Sequence, residues 1–284
     1  MKREPGRADR VAIEFISVLG LPPVEFVRLA ADLGCPRIGM APEPIARNAM
    51  YPTWSLRDDP SLRREVIAAL RHYGVSISLG EGFLLFPERD IRDASPDLDL
   101  LRELGAQQVN LVTIDPDLPR AFDQCAIFAE LAAARGLGAT LEFMPGLPIG
   151  DLERGLATVH HVGRPDFRLL IDAMHFFRSN SSIDALAALD SDVIGYAQLC
   201  DVPRVAANVS YADEARFARL PPGEGDLPLL DFVSALPRDV PVGIEIPMRA
   251  RAEMGIGPYA RLRPCLEAAE AVIRQAEERK ISAK

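Results

Sequence analysis

The chain has 284 residues and a net charge of −9, with 48% hydrophobic and 26% charged residues. That is enough apolar material for a large core and enough charge to keep a surface in water, while the excess of acid opposes a nucleic-acid partner. Cys35, Cys125, Cys200 and Cys265 are too far apart for a C-x-x-C pair, the first ten residues lack the apolar stretch of a secretion signal, and no apolar run is long enough to span a bilayer. The expectation is a cytoplasmic protein with no disulfide framework, cysteine zinc site or membrane segment.

Along the chain, short β-branched or apolar runs alternate with longer amphipathic stretches rich in Ala, Leu and Arg. Strands are predicted at 11–18, 36–40, 75–79, 108–112, 139–143, 168–172, 193–199 and 242–246, with helices at 23–33, 60–72, 119–135, 149–161, 227–236 and 258–278. Gly34, Gly74, Gly105 and Gly136 each follow an amphipathic stretch, where a residue that tolerates positive φ closes a helix. Eight such units favour an α/β fold, a single (β/α)8 TIM barrel over 1–284. An open doubly wound sheet would advertise a Gly-rich phosphate turn after its first strand, and Leu19-Gly20-Leu21-Pro22 is not one. The long Pro-containing connections 41–59 and 200–225 are candidate walls of a site.

In such barrels the chemistry is assembled where the strands end. Strand five ends in Leu141-Glu142-Phe143, strand six in Ile171-Asp172-Ala173-Met174-His175, strand seven in Tyr196-Ala197-Gln198-Leu199 and strand eight in Gly243-Ile244-Glu245-Ile246. One such acid alone is ordinarily a capping or salt-bridged residue; four successive strand ends with an oxygen-bearing side chain point to a shared task. Three carboxylates at one mouth need a counter-charge, and a divalent ion is an economical one. An all-oxygen set of Glu142, Asp172, Gln198 and Glu245 suits Mn2+ or Mg2+ better than Zn2+, with other divalent ions as alternatives.

His175 is a candidate for substrate contact or acid–base work, provided the chain turns upward after Asp172. Arg178, Arg204, Arg249 and Arg251 lie just past strands six to eight, where a guanidinium can hold a substrate carboxylate or phosphate. Trp54, Phe83 and Phe86 follow strands two and three and either line the pocket or pack in the core. His160-His161 reads as surface, and Gly223-Glu224-Gly225 as a turn, since it lacks the Lys-Ser/Thr ending of a nucleotide loop.

LEFMPG with Glu142, IDAMHFFRS with Asp172 and His175, YAQLCD with Gln198, PPGEGDLPL from Pro221 and GIEIP with Glu245 resemble the xylose isomerase-like barrels. These are also grouped as sugar phosphate isomerases/epimerases and with the AP endonuclease family 2 fold. The resemblance covers most of the chain and is strongest over 141–247. It implies that Glu142, Asp172, Gln198 and Glu245 ligate one metal ion and that His175 contacts substrate or the ligands. Many relatives carry His where this chain has Gln198; the resemblance there is to the hydroxypyruvate isomerase and 3-dehydroshikimate dehydratase branches.

The expected activity is a metal-dependent isomerase or epimerase acting on a sugar or keto-hydroxy compound through a metal-stabilised enediolate, with Glu142 and Glu245 exchanging the proton. The alternative is a dehydroshikimate-type dehydratase, a lyase with His175 as base. An AP endonuclease needs a His-rich trinuclear zinc site and a basic face, which four His and a net charge of −9 do not offer. A non-catalytic sugar-binding barrel is a lesser alternative. The expected partner is a small molecule, a sugar or keto-acid, and homo-oligomerisation is left open.

Overall fold

A computed structural model of the chain describes residues 10–44, 50–205 and 210–282. Most of the N-terminal stretch and parts of both long connections, at 45–49 and 206–209, lie outside the described residues. Strand β1 (Val11–Ile13) leads to helix α1 (Pro23–Leu33), β2 (Arg37–Met40) to α2 (Pro60–Tyr73), and β3 (Ser76–Leu85) to α3 (Ser95–Leu104). Then β4 (Gln108–Thr113) leads to α4 (Leu118–Ala133), β5 (Gly138–Glu142) to α5 (Leu152–Val162), and β6 (Phe167–Asp172) to α6 (Ala173–Arg178) and α7 (Ile183–Ala187). Finally β7 (Ile194–Leu199) leads to α8 (Tyr211–Phe217) and α9 (Leu229–Ala235), and β8 (Val242–Ile244) to α10 (Arg249–Glu253) and α11 (Pro258–Ser282). The strands close into an eight-stranded parallel barrel in chain order, β8 returning to β1 through Val11↔Val242.

Side chains alternate along each strand, so one set faces the helices and the other the barrel axis. The outer set, including Ile13, Ile38, Leu141, Leu169 and Ile244, merges with the helices into one large core. Leu79, Leu170 and Tyr196 form a small separate cluster. Two residues further along the same strands, and hence on the same face, stand Glu81, Asp172 and Gln198. The barrel therefore carries an apolar plug with a polar layer directly above it, towards the C-terminal strand ends.

The glycine signals hold where backbone geometry requires them: Gly34, Gly74 and Gly105 close α1, α2 and α3 with φ of 70°, 66° and 85°. Two strand predictions change. The run 11–18 bends after Ile13 into a 3-10 turn (Phe15–Val18), because Ser17 Oγ donates to Ile244 O at 3.0 Å and accepts from Ile246 N at 2.7 Å, tying the turn to β8. The third strand runs on to Leu85 by renewing its pairing with β4 after a register shift between Gly80 and Phe83. All four cysteines are buried. Among the described residues no helix is long and apolar enough to cross a membrane.

Candidate functional site

Asp172 ends β6 and serves as N-cap of α6, its Oδ1 accepting from the His175 backbone N–H at 2.8 Å. This cap turns the chain upward at once and brings His175, fully buried, over the barrel axis. There its Nε2 lies 3.3 Å from Glu142 Oε1, at the end of β5. Glu142 Oε2 accepts from Asn110 Nδ2 at 2.8 Å, and Asn110 Oδ1 in turn accepts from Thr140 Oγ1 at 2.9 Å, so the carboxylate is held from two sides. Strand register sets Asp172 beside Gln198, and Gln198 Nε2 donates to Glu245 Oε1 at 3.3 Å. Glu142, Asp172, Gln198, Glu245 and His175 thus share one mouth.

Arg219 is a site residue that the sequence reading missed. Isolated bridges Asp201↔Leu220 and Ala218↔Met248 pin its backbone beside the ends of β7 and β8. Its Nη1 lies 2.6 Å from Asp172 Oδ2 and 2.7 Å from Glu245 Oε2, and Nη2 lies 3.5 Å from His175 Nε2. Part of the counter-charge that the carboxylates require is therefore a guanidinium of the chain itself. Among the described residues, no three His, Cys, Asp or Glu side chains stand gathered as a ready-made metal-binding group. The guanidinium stands between two of the acids, and the fourth oxygen donor is an amide. Its signal in the sequence is a lone Arg immediately ahead of Leu220 and the PPGEGDLPL string.

The acids respond unequally to this arrangement. Burial acts to raise Asp172, but Arg219, His175 and the capping N–H outweigh it and hold the carboxyl below its usual range. Glu245 is pushed well above its usual range by burial, which the charge of Arg219 does not overcome, with Glu142 and Asp172 adding to the rise. One guanidinium does not neutralise two buried carboxylates. Tyr211 on α8 is hydrogen-bonded to His175 Nδ1. Burial raises the phenol above its ordinary value, so Tyr211 stays neutral.

A second acidic pair enters the same polar layer: Glu14, inside the run 11–18 read as strand, and Glu81, two residues past the predicted strand 75–79. Glu14 Oε1 accepts from Tyr196 Oη at 2.7 Å, and Glu81 Oε1 accepts from Phe15 N at 3.0 Å. Glu14 Oε2 and Glu81 Oε1 each lie 2.2 Å from the point where a Cβ on Gly39 would stand, so they face one another across the bare side of that glycine. Burial and the neighbouring Glu81 push Glu14 well above the ordinary carboxyl range, and burial pushes Glu81 up to about 7.

A carboxyl with a higher pKa folded than unfolded contributes stability that is complete below the unfolded value and is lost as pH rises through the folded one. For Glu81 that window runs from 4.5 to about 7. Glu81→Gln is accordingly expected to melt several degrees above the wild type at about pH 8 and to converge with it at about pH 4; parallel melting curves across that range would contradict this. Packing gives a second test, because a Cβ on Gly243 would meet Glu14 Oε1 at 1.6 Å and Cδ at 2.4 Å. Gly243→Ala is expected to cost about 2 kcal/mol or more in a urea titration, with Glu14→Ala in the same chain recovering much of the loss.

The other candidate side chains stand elsewhere. Arg178 pairs with Glu214 at 2.8 Å and donates to the carbonyls of Pro203 and Arg204, which ties α6 to the connection after β7. Arg204 is exposed, Arg249 stacks 3.8 Å over the ring of Phe217, and Arg251 pairs with Glu224. Phe83 packs on Phe128 in the core and Trp54 lies edge-on to Phe15 with its indole N–H on Gly20 O, while Phe86 is 40% exposed. His160 and His161 lie exposed on α5, His161 paired with Asp123. Gly223-Glu224-Gly225 forms a turn wrapped around the buried Asp201 carboxylate, which accepts from the backbone N–H groups of Val202, Gly223 and Leu227.

The sequence profile of the xylose isomerase-like TIM barrels matches residues 27–271. The chain belongs to this family. Curated proteins give no match in sequence. Among solved structures, the IolI protein with a bound zinc atom superposes with a TM-score of 0.78 at 18% identity, over 94% of this chain and 99% of that one. D-psicose 3-epimerase with D-tagatose from Clostridium cellulolyticum H10 gives 0.68 at 16% identity, over 95% and 98%. The probable 3-DHS dehydratase AsbF from Bacillus anthracis gives 0.71 at 14% identity, over 92% and 98%. At these identities the likeness is one of fold.

Proposed function

We propose that this family member is a divalent-metal-dependent isomerase or epimerase of a sugar or keto-hydroxy compound, with Glu142, Asp172, Gln198 and Glu245 as the metal-holding set. The observation that carries the reading is the buried amide of Gln198. Its Nε2 is engaged with Glu245, but Oε1 has no hydrogen-bond partner although it is buried among carboxylates. An orphaned buried acceptor is costly, and a hard cation satisfies it together with the three acids around it. The donor set fits such an ion chemically; the accommodation needed is a shift of Arg219. Mn2+ and Mg2+ suit these oxygens, and Zn2+, which IolI holds, is a further candidate.

When bound, the ion supplies Lewis acidity to a substrate carbonyl. The protein's own groups do the rest. Glu142, fixed by Asn110 and facing His175, and Glu245, from the other side of the mouth, are placed to take a proton from the carbon beside the carbonyl and to return it. Arg219, the guanidinium buried within the mouth, is assigned to substrate oxygens in preference to Arg178, Arg204 and Arg249. The Glu14–Glu81 pair and the apolar plug beneath it close the floor against water.

A lyase of the dehydroshikimate type is favoured by one observation, the fixed ring of His175 between Tyr211 and Glu142, which suits that imidazole to act as the base. Incubation of metal-loaded protein in D2O with keto-sugars and cyclic keto-acids separates the two. Deuterium uptake without a new chromophore is expected for the isomerase, whereas growth of enone or catechol absorbance marks the lyase. No exchange with any compound of a broad panel would sink both in favour of a binding barrel.

A further inference from the structure

Arg219 contacts Asp172 Oδ2 and Glu245 Oε2 through the same nitrogen, at 2.6 and 2.7 Å, with side-chain exposures of 3%, 0% and 10% for the three residues. A single positive group thereby joins two carboxylates from different strands, which is the task of an ion at this place. The guanidinium is also held from outside the strands, its Nε donating to Ala215 O at 2.8 Å on α8. Arg219 lies outside the barrel strands, so a swing of its guanidinium away from the acids, with loss of the Ala215 bond, breaks no bond of the strand ladder.

Oxygen ligands stand at about 2.0–2.6 Å from Mg2+ or Ca2+, so an ion and Nη1 cannot both occupy the space between these two oxygens. The remaining oxygens give no clear escape: Asp172 Oδ1 already accepts from His175 N at 2.8 Å and Glu245 Oε1 from Gln198 Nε2 at 3.3 Å. An ion using those alone would still sit close to a full positive charge in a dry setting, where like-charge repulsion is strong. Occupancy and charge act in the same direction.

We propose that Arg219 is a built-in counter-ion that competes with the dication for Asp172 and Glu245, so that metal loading and departure of the guanidinium from these oxygens are one event. The inference rests on the metal-binding reading of the site given above. It is tested by calorimetric titration of Mn2+ into chelator-stripped full-length wild type, Arg219→Met and Arg219→Gln, with melting curves recorded with and without Mn2+. Both variants are expected to bind Mn2+ at least about tenfold more tightly than wild type, within the ordinary range of coupling between two ligands. Both are also expected to melt lower than wild type when stripped and to gain more from Mn2+.

The neutral, hydrogen-bonding Gln variant decides the matter if the Met variant does not fold. Equal or weaker Mn2+ binding by the variants, with wild type binding normally, overturns the competition and leaves the metal site standing. Absence of Mn2+ binding in all three proteins removes the metal reading and the competition together.

Discussion

Asp172→Ala is expected to lower stability by about 3–5 kcal/mol, the range for stranding one member of a buried ion pair. The substitution removes the 2.6 Å partner of a guanidinium that is only 3% exposed, and it also strips the cap from α6, whose first turn carries His175 into the mouth. Arg219 is left with Glu245, which burial holds well above the usual carboxyl range, so the charge is poorly compensated. Asp172→Asn keeps a capping oxygen and is expected to lose less. Urea titration separates the contributions: Asp172→Ala combined with Arg219→Met should recover a substantial part of the loss, because the uncompensated charge leaves with the arginine. A loss below about 1 kcal/mol for Asp172→Ala would mean that Arg219 is not the principal counter-charge of this carboxylate.

Glu142→Gln is expected to leave the fold nearly intact and to reduce substrate deuterium exchange by about 10²–10⁴-fold, the usual contribution of a positioned general base or acid. The amide oxygen of Gln can still accept from Asn110 Nδ2, which now donates to Glu142 at 2.8 Å, so the side chain keeps its place while losing its basicity. Melting within a few degrees of wild type together with collapsed exchange is the expected signature. Exchange at the wild-type rate would remove Glu142 from the proton transfer and shift that role to His175 or Glu245.

The barrel was legible in the sequence because its signals are local. Strand runs stand out against amphipathic helices of eleven residues or more, such as α1, α2 and α4, and left-handed glycines punctuate the returns. What escaped was short or distant. Helices α6, α7, α8 and α10 have five to seven residues, too few to show a helical period. The turn after Ile13 is dictated by Ser17 bonding across to β8, more than two hundred residues away in sequence.

The site divided along the same line. Glu142, Asp172, Gln198 and Glu245 share one local signature, an oxygen-bearing side chain at the end of an apolar strand, and the closed barrel places all four strand ends at one mouth. Arg219 carries no such signature; its partner Asp172 lies 47 residues earlier in the chain, and only the pairing of β6 with β7 and the bridges that fold the connection after β7 back over the strand ends make them neighbours. Glu14 and Glu81 were passed over for a related reason. Glu14 inside VAIEFISV reads as an exposed strand position, and Glu81 falls just past the predicted strand 75–79; only the glycine of a neighbouring strand, Gly39, opens room for both on the inner face.

The most direct test is the stoichiometry of Mn2+ on chelator-stripped wild-type protein, followed by the same titration on Asp172→Asn and Glu245→Gln. One ion per chain, bound at least about a hundredfold more weakly by either variant, is the expected result. Absence of binding to the wild type, or an affinity indifferent to both substitutions, would contradict the assignment of Glu142, Asp172, Gln198 and Glu245 as a metal-holding set.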